Sequence, residues 1–206
     1  MHKTVSLAGR FAVIGYGSLL WDLEVLTPHV EKPWAMLGGP SLPMEFSRVS
    51  PKRKLGLVVV MDPEHGDDCP THAIASIKTD IHAVAEDLRD RERMKDIDKI
   101  GAVCLQTGFE RAGHPYLADR VRLWCQGHGV LGAVWTDLGP NFEDSSGTAF
   151  SIGAAMAYLR KLTGDNLAEA VRYIDHAPAQ TDTPLRRALA ADHWWTSLPR
   201  TLQPDG

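Results

Sequence analysis

Two stretches of the chain carry residue types suited to anion binding and acid–base chemistry. The first is "GYGSLLW" at 15–21, which follows the apolar run "FAVI" at 11–14. Glycines let a backbone take positive φ and come close to a ligand, so successive N–H groups can converge on an anion. Ser18 would add a hydroxyl donor, and Tyr16 a phenol or a wall. A dinucleotide fingerprint is excluded, because Gly15 and Gly17 are followed by Leu20 and not by a third glycine. A phosphate loop needs a lysine that is absent here, and a nucleophile elbow needs glycines where Tyr16 and Leu20 stand. The same residues also fit a tight turn at a strand end, with Tyr16, Leu19 and Trp21 in the core.

The second stretch is "DIHAVAEDLRDRERMKD" at 80–96. On a helical wheel Ile81, Val84, Ala85 and Leu88 form one apolar stripe, and Glu92 falls about 20° from Ile81, within it. Glu86, Asp87 and Asp90 point to the other side. An acid that continues an apolar stripe is either aimed into a cavity, where it could serve as general base and then acid, or it lies beyond the packed part of the helix. In the second case it would pair with Arg93 or Lys95 in solvent.

These residues need a scaffold, and the pattern supplies one. With 206 residues, 44% apolar and 23% charged, the chain has the composition of one globular domain able to bury a core. Short β-branched or aromatic runs at 11–15, 43–49, 55–61, 72–77, 99–105, 121–125 and 130–137 read as strands. One helix, capped by Thr79 or Asp80, interrupts them at 80–96. Helices at 151–163, 167–176 and 184–195 follow, with Pro184 suited to a first turn. The expectation is a single α+β domain over 1–206, with a small barrel or strongly curved mixed sheet over 10–140 and a helical extension over 150–198.

A net charge of −4 argues against nucleic-acid binding as the main activity. No apolar run reaches membrane-spanning length. The start of the chain, with His2, Lys3 and Arg10 before a short interrupted apolar stretch, does not read as a signal peptide. Cys69, Cys104 and Cys125 have no CxxC spacing, which fits reduced thiols in a cytoplasmic protein. "PEHGDDCPTH" at 63–72 gathers His65, Asp67, Asp68, Cys69 and His72, but without the paired spacing of a structural metal site it reads as an acidic hairpin turn, and no metal is expected. Of the adjacent Trp194 and Trp195, one is expected in the core and the other as a cover or contact. His114 sits in a loop, either solvated or within reach of a substrate.

Taken together, the two opening stretches resemble the γ-glutamylcyclotransferase-like superfamily, closest to its ChaC-type, glutathione-specific branch. That family opens with a strand followed by Tyr-Gly-Ser-Leu and often Trp, as at Tyr16, Gly17, Ser18, Leu19 and Trp21. It continues with an Arg-x-Ser-like segment before a Gly-Leu-Val strand, similar to "FSRVSPKRKLGLVVVMD" at 46–62. Its catalytic glutamate lies near a helix end in an Arg-Glu context, as in "DLRDRERM" around Glu92. The resemblance covers about residues 11–135. It implies a small mixed β-barrel with surrounding helices and a cofactor-free reaction. In that reaction the α-amino group of a γ-glutamyl unit attacks its own side-chain amide, closing the ring to 5-oxoproline and releasing an amine. The resemblance makes Glu92 the general acid/base. Tyr16, Gly17, Ser18 and Leu19 become the substrate loop, and Arg48 and Ser50 further candidates for carboxylate binding. The implied partner is a small-molecule γ-glutamyl substrate. A γ-glutamyl amide hydrolase and a non-catalytic binding module of the same fold stand as alternatives.

Overall fold

The apolar run at 11–15 forms strand β1 (Phe11–Gly15), buried along its whole length. The computed structural model describes residues 5–200, so His2 and Lys3 lie outside the described residues. Among the described residues the chain is α+β, with two sheets, and it divides into two compact units. One comprises 1–42 and 70–138, the other 43–69 and 139–206.

The first unit is a six-stranded mixed sheet in the order β2 (Val30–Ala35), β6 (His72–Ser76), β1, β9 (Gly132–Thr136), β7 (Ile100–Cys104), β8 (Glu110–Arg111). No closed barrel is found among the described residues. β1 runs parallel to β9, with Val13 opposite Val134, and antiparallel to β6, with Gly15 opposite His72. Side chains alternate across a strand, and Phe11, Val13, Ile74, Ile100, Ala102 and Val134 share one buried cluster with Ile81, Val84, Ala85 and Leu88 of helix α1 (Ile81–Glu92). That face of the sheet therefore carries α1. The expected N-cap is present: the Asp80 carboxylate accepts the Ala83 N–H at 2.9 Å. The helix stops at Glu92 because Arg93 takes a left-handed conformation (φ 55°).

The strand expected at 121–125 is instead part of helix α2 (Pro115–His128), which packs on β7 and β9. The apolar window there hides a helical stripe of Leu117, Ala118, Val121, Trp124 and Cys125, all buried. His114 caps this helix, its Nδ1 accepting the Tyr116 N–H, and Pro115 occupies the first turn. Gly129 ends it at φ 66°.

The second unit contains the sheet order β4 (Gly56–Met61), β3 (Ser41–Ser50), β5 (Asp67–Pro70). Its helices are α3 (Phe142–Ser146), α4 (Ile152–Lys161), α5 (Gly164–His176), α6 (Pro184–Ala190) and α7 (His193–Thr196). Helix α5 packs on β4. The helix expected at 184–195 is two helices, because the Asp192 carboxylate caps a new one by accepting the Trp195 N–H at 3.0 Å. Trp195 is buried, while Trp194 is covered by the Arg160 guanidinium 5.0 Å from its ring. Glu45, fully buried on β3, accepts the N–H groups of Phe46 and Leu185 and so ties this strand to the start of α6.

Candidate functional site

Glu92 is the last residue of α1, and α1 packs on β9, β7 and β1. Its carboxylate is held by a neighbouring guanidinium and by a hydroxyl from β9. The Arg91 guanidinium donates to Oε1 at 2.7 Å, and the Thr136 hydroxyl donates to the same oxygen at 3.3 Å. The Glu92 side chain is 18% exposed and that of Arg91 only 6%. Arg93 donates to the Glu24 carboxylate at 2.6 Å.

The turn after β1 meets this carboxylate through two chains of bonds. The Tyr16 phenol donates to the backbone carbonyl of Thr136, the residue whose hydroxyl holds Glu92. Arg91 also donates through Nε and Nη2 to the Asp22 carbonyl, at 3.2 and 2.6 Å. The Asp22 N–H in turn donates to the Ser18 carbonyl at 3.1 Å. Gly17–Leu20 is a short 3-10 turn, and Gly17 enters it at φ 58°, a conformation natural to glycine. Leu19 is buried in the α1-side core, whereas Ser18 is only partly covered and Trp21 is 38% exposed. Tyr16, Gly17, Ser18, Leu19 and Glu92 thus belong to one neighbourhood, at the carboxyl ends of the parallel pair β1 and β9.

Gly15 has a separate role. A Cβ there would lie 2.5 Å from Cζ3 of Trp34 and 3.1 Å from Cδ2 of Leu20, so the missing side chain is the space that the indole fills. Opposite Gly15 on β6 is His72, buried, with Nδ1 accepting the Leu37 N–H at 3.0 Å. Burial pushes the His72 imidazole below its usual range, favouring the neutral ring that this acceptor role requires.

Arg48 and Ser50 belong to the second unit. Arg48 donates to the Gly139 carbonyl at 2.8 Å, and the Ser50 backbone carbonyl accepts the Leu55 N–H at 3.0 Å. Among the described residues no group of three or more His, Cys, Asp and Glu side chains is placed to hold a metal ion. Among them, too, no helix is long and apolar enough to cross a membrane.

Sequence reasoning missed Arg91, Thr136 and Trp34. Arg91 lies about 80° from Ile81 on the wheel, at the stripe's edge. Thr136 and Trp34 meet the turn only through contacts distant in sequence, the Tyr16 bond and the packing on Gly15. No protein-family model matches the chain, and no curated protein or solved structure matches it.

Proposed function

We propose that this chain is a γ-glutamylcyclotransferase-like enzyme that converts a small γ-glutamyl amide into 5-oxoproline and a free amine. The single observation that carries this reading is the Glu92 carboxylate, fixed by Arg91 and Thr136 beside a turn whose Tyr16 is bonded to the same Thr136. In this reading the six-stranded sheet is the counterpart of the family's small barrel.

Glu92 takes a proton from the α-ammonium group of the substrate. The freed amine attacks the γ-carbonyl carbon, and the negative charge that develops on the carbonyl oxygen meets the N–H groups and hydroxyl around Gly17 and Ser18, or these hold the α-carboxylate. Glu92 then returns its proton to the departing nitrogen and the C–N bond breaks. The ring nitrogen gives its second proton back through the carboxylate to the released amine, which leaves as an ammonium while the lactam is neutral. The attack is intramolecular, so orientation supplies much of the rate and the protein needs few groups. Arg91 and Thr136 both donate to Oε1 of Glu92 and so orient the carboxylate. The chemistry requires neither a metal nor an organic cofactor.

The test is incubation with glutathione and a panel of γ-glutamyl amino acids and γ-glutamyl amines, with 5-oxoproline and glutamate both quantified. The expected result is 5-oxoproline with an equal amount of amine, lost by about 10²–10⁴-fold in Glu92→Gln. Full activity in that variant would remove Glu92 from the mechanism. Release of glutamate would make the protein a hydrolase. Binding without turnover would make it a binding module.

A further inference from the structure

The apolar wall beside Glu92 has no part in the reaction as written. Val13 and Val134 lie opposite each other on the parallel pair and share the α1-side core. Two residues further along each strand come Gly15 and Thr136, on the same face by strand alternation. Neighbouring strands stand about 4.8 Å apart. The Trp34 ring, lying on Gly15, and the Thr136 hydroxyl, bonded to Glu92, therefore occupy adjacent positions on one face. Trp34 reaches there from edge strand β2 and is only partly buried against the core. Leu20, also partly buried, touches the same spot.

The glutamyl half of the proposed substrate carries an ammonium and a carboxylate. Both need polar partners, which Glu92 and the Gly17–Ser18 backbone offer. An indole face and a leucine methyl suit the other half of the molecule. Resting on the cyclotransferase reading, we propose that Trp34, with Leu20, receives the departing amine, and that the substrates are γ-glutamyl amides of amines with an apolar or aromatic group. Contact with the indole would then contribute selectivity that grows with the apolar area of the leaving group.

The experiment compares kcat/KM for γ-glutamyl-phenylalanine, γ-glutamyl-butylamine, γ-glutamyl-glycine and γ-glutamyl-lysine. It uses the unaltered protein, Trp34→Leu and Gly15→Ala, with folding checked by circular dichroism. The alanine Cβ at 15 occupies the indole's place and displaces the ring without deleting it. The unaltered protein is expected to favour the phenylalanine and butylamine compounds by about tenfold or more. Both variants are expected to lose most of that preference while keeping turnover of the glycine compound. Trp34→Phe, which keeps an aromatic face, should restore part of it. Turnover without this preference, or a preference untouched in both variants, overturns the assignment of Trp34 and leaves the reaction standing. An equal loss on all four compounds also overturns it, since the ring would then serve the shared glutamyl half. Failure to convert any γ-glutamyl compound overturns the reaction itself, and this assignment with it.

Discussion

Replacing Arg91 by methionine keeps a long unbranched side chain on α1 and removes one guanidinium. That group is 6% exposed and holds two partners at once, the Asp22 carbonyl and the Glu92 carboxylate. Removing one member of a fully buried pair costs about 3–5 kcal/mol. Glu92 is 18% exposed and Asp22 lies at the surface, so water recovers part of this. About 2 kcal/mol remains as the expected loss of stability, at the low end of what a buried charge-assisted bond carries. For a chain of this length that is a fall of about 4–8 °C in Tm. A double-mutant cycle with Glu92→Gln, read by chemical denaturation, should give a coupling of about 1–2 kcal/mol between the two positions. Arg91 faces Glu92 and the turn and not the proposed substrate, so kcat should fall with KM little changed, and Arg91→Lys should restore part of kcat. A coupling below about 0.5 kcal/mol, within ordinary additivity, would show that the guanidinium does not hold the carboxylate and would refute the reasoning.

Tyr16→Phe removes the phenol that donates to the Thr136 carbonyl. It should cost about 1 kcal/mol in urea unfolding, and an unchanged midpoint would argue against that bond. Gly17→Ala forces a side chain into φ 58° and should cost about 1–2 kcal/mol by the same measurement, a strain that outweighs the gain from a stiffer unfolded chain. In the second unit, burial holds the Glu45 carboxyl above its usual range. The folded state then binds that proton more tightly than the unfolded chain, so its contribution to stability is full below the ordinary carboxylate value of about 4.5 and is lost as pH rises through the folded value. Unfolding free energies measured from pH 4 upward should show this decline, and Glu45→Gln should flatten it. Cys69, Cys104 and Cys125 are all buried, and burial pushes the Cys125 thiol up to about 12 and Cys69 up to about 11. A thiol reagent at neutral pH should label none of them rapidly in the folded protein and all three in denaturant.

The strand, the turn and the helix that bears Glu92 were legible because their signals are local. An apolar run is closed by glycines at 15–17, and a capping Asp80 is followed by a stripe at 3.6-residue spacing. Strand β2 is not legible in the sequence because half of Val30–Ala35 is exposed at a sheet edge and the strand is held by pairing with β6, about forty residues away. Valine, leucine and tryptophan crowd the window at 121–125 and mimic a strand, whereas the wider spacing from Leu117 is that of helix α2. The partition of 43–69 with 139–206 leaves no trace in composition, since it follows from contacts distant in sequence. The same holds for the site. Glu92 could be singled out by its own neighbours, but Thr136 becomes its partner only through the register that sets β9 beside β7 and β1. Arg48 and Ser50 enter by likeness of motif alone; the Arg48 guanidinium donates to the Gly139 carbonyl, and the Ser50 carbonyl accepts the Leu55 N–H.

Thr136 joins, through its carbonyl and its hydroxyl, a tyrosine 120 residues away and a glutamate 44 residues away. No single segment therefore contains even half of this arrangement. It comes into being only when β1 and β9 have found each other, a pairing whose loop closure is among the slowest events open to such a chain. Side-chain alternation makes the outcome close to binary, because a slip of one residue would turn the Thr136 hydroxyl to the opposite face of the sheet. Activity recovered during refolding would thus act as a clock for that one long-range event, silent until the two strands lock and complete soon after.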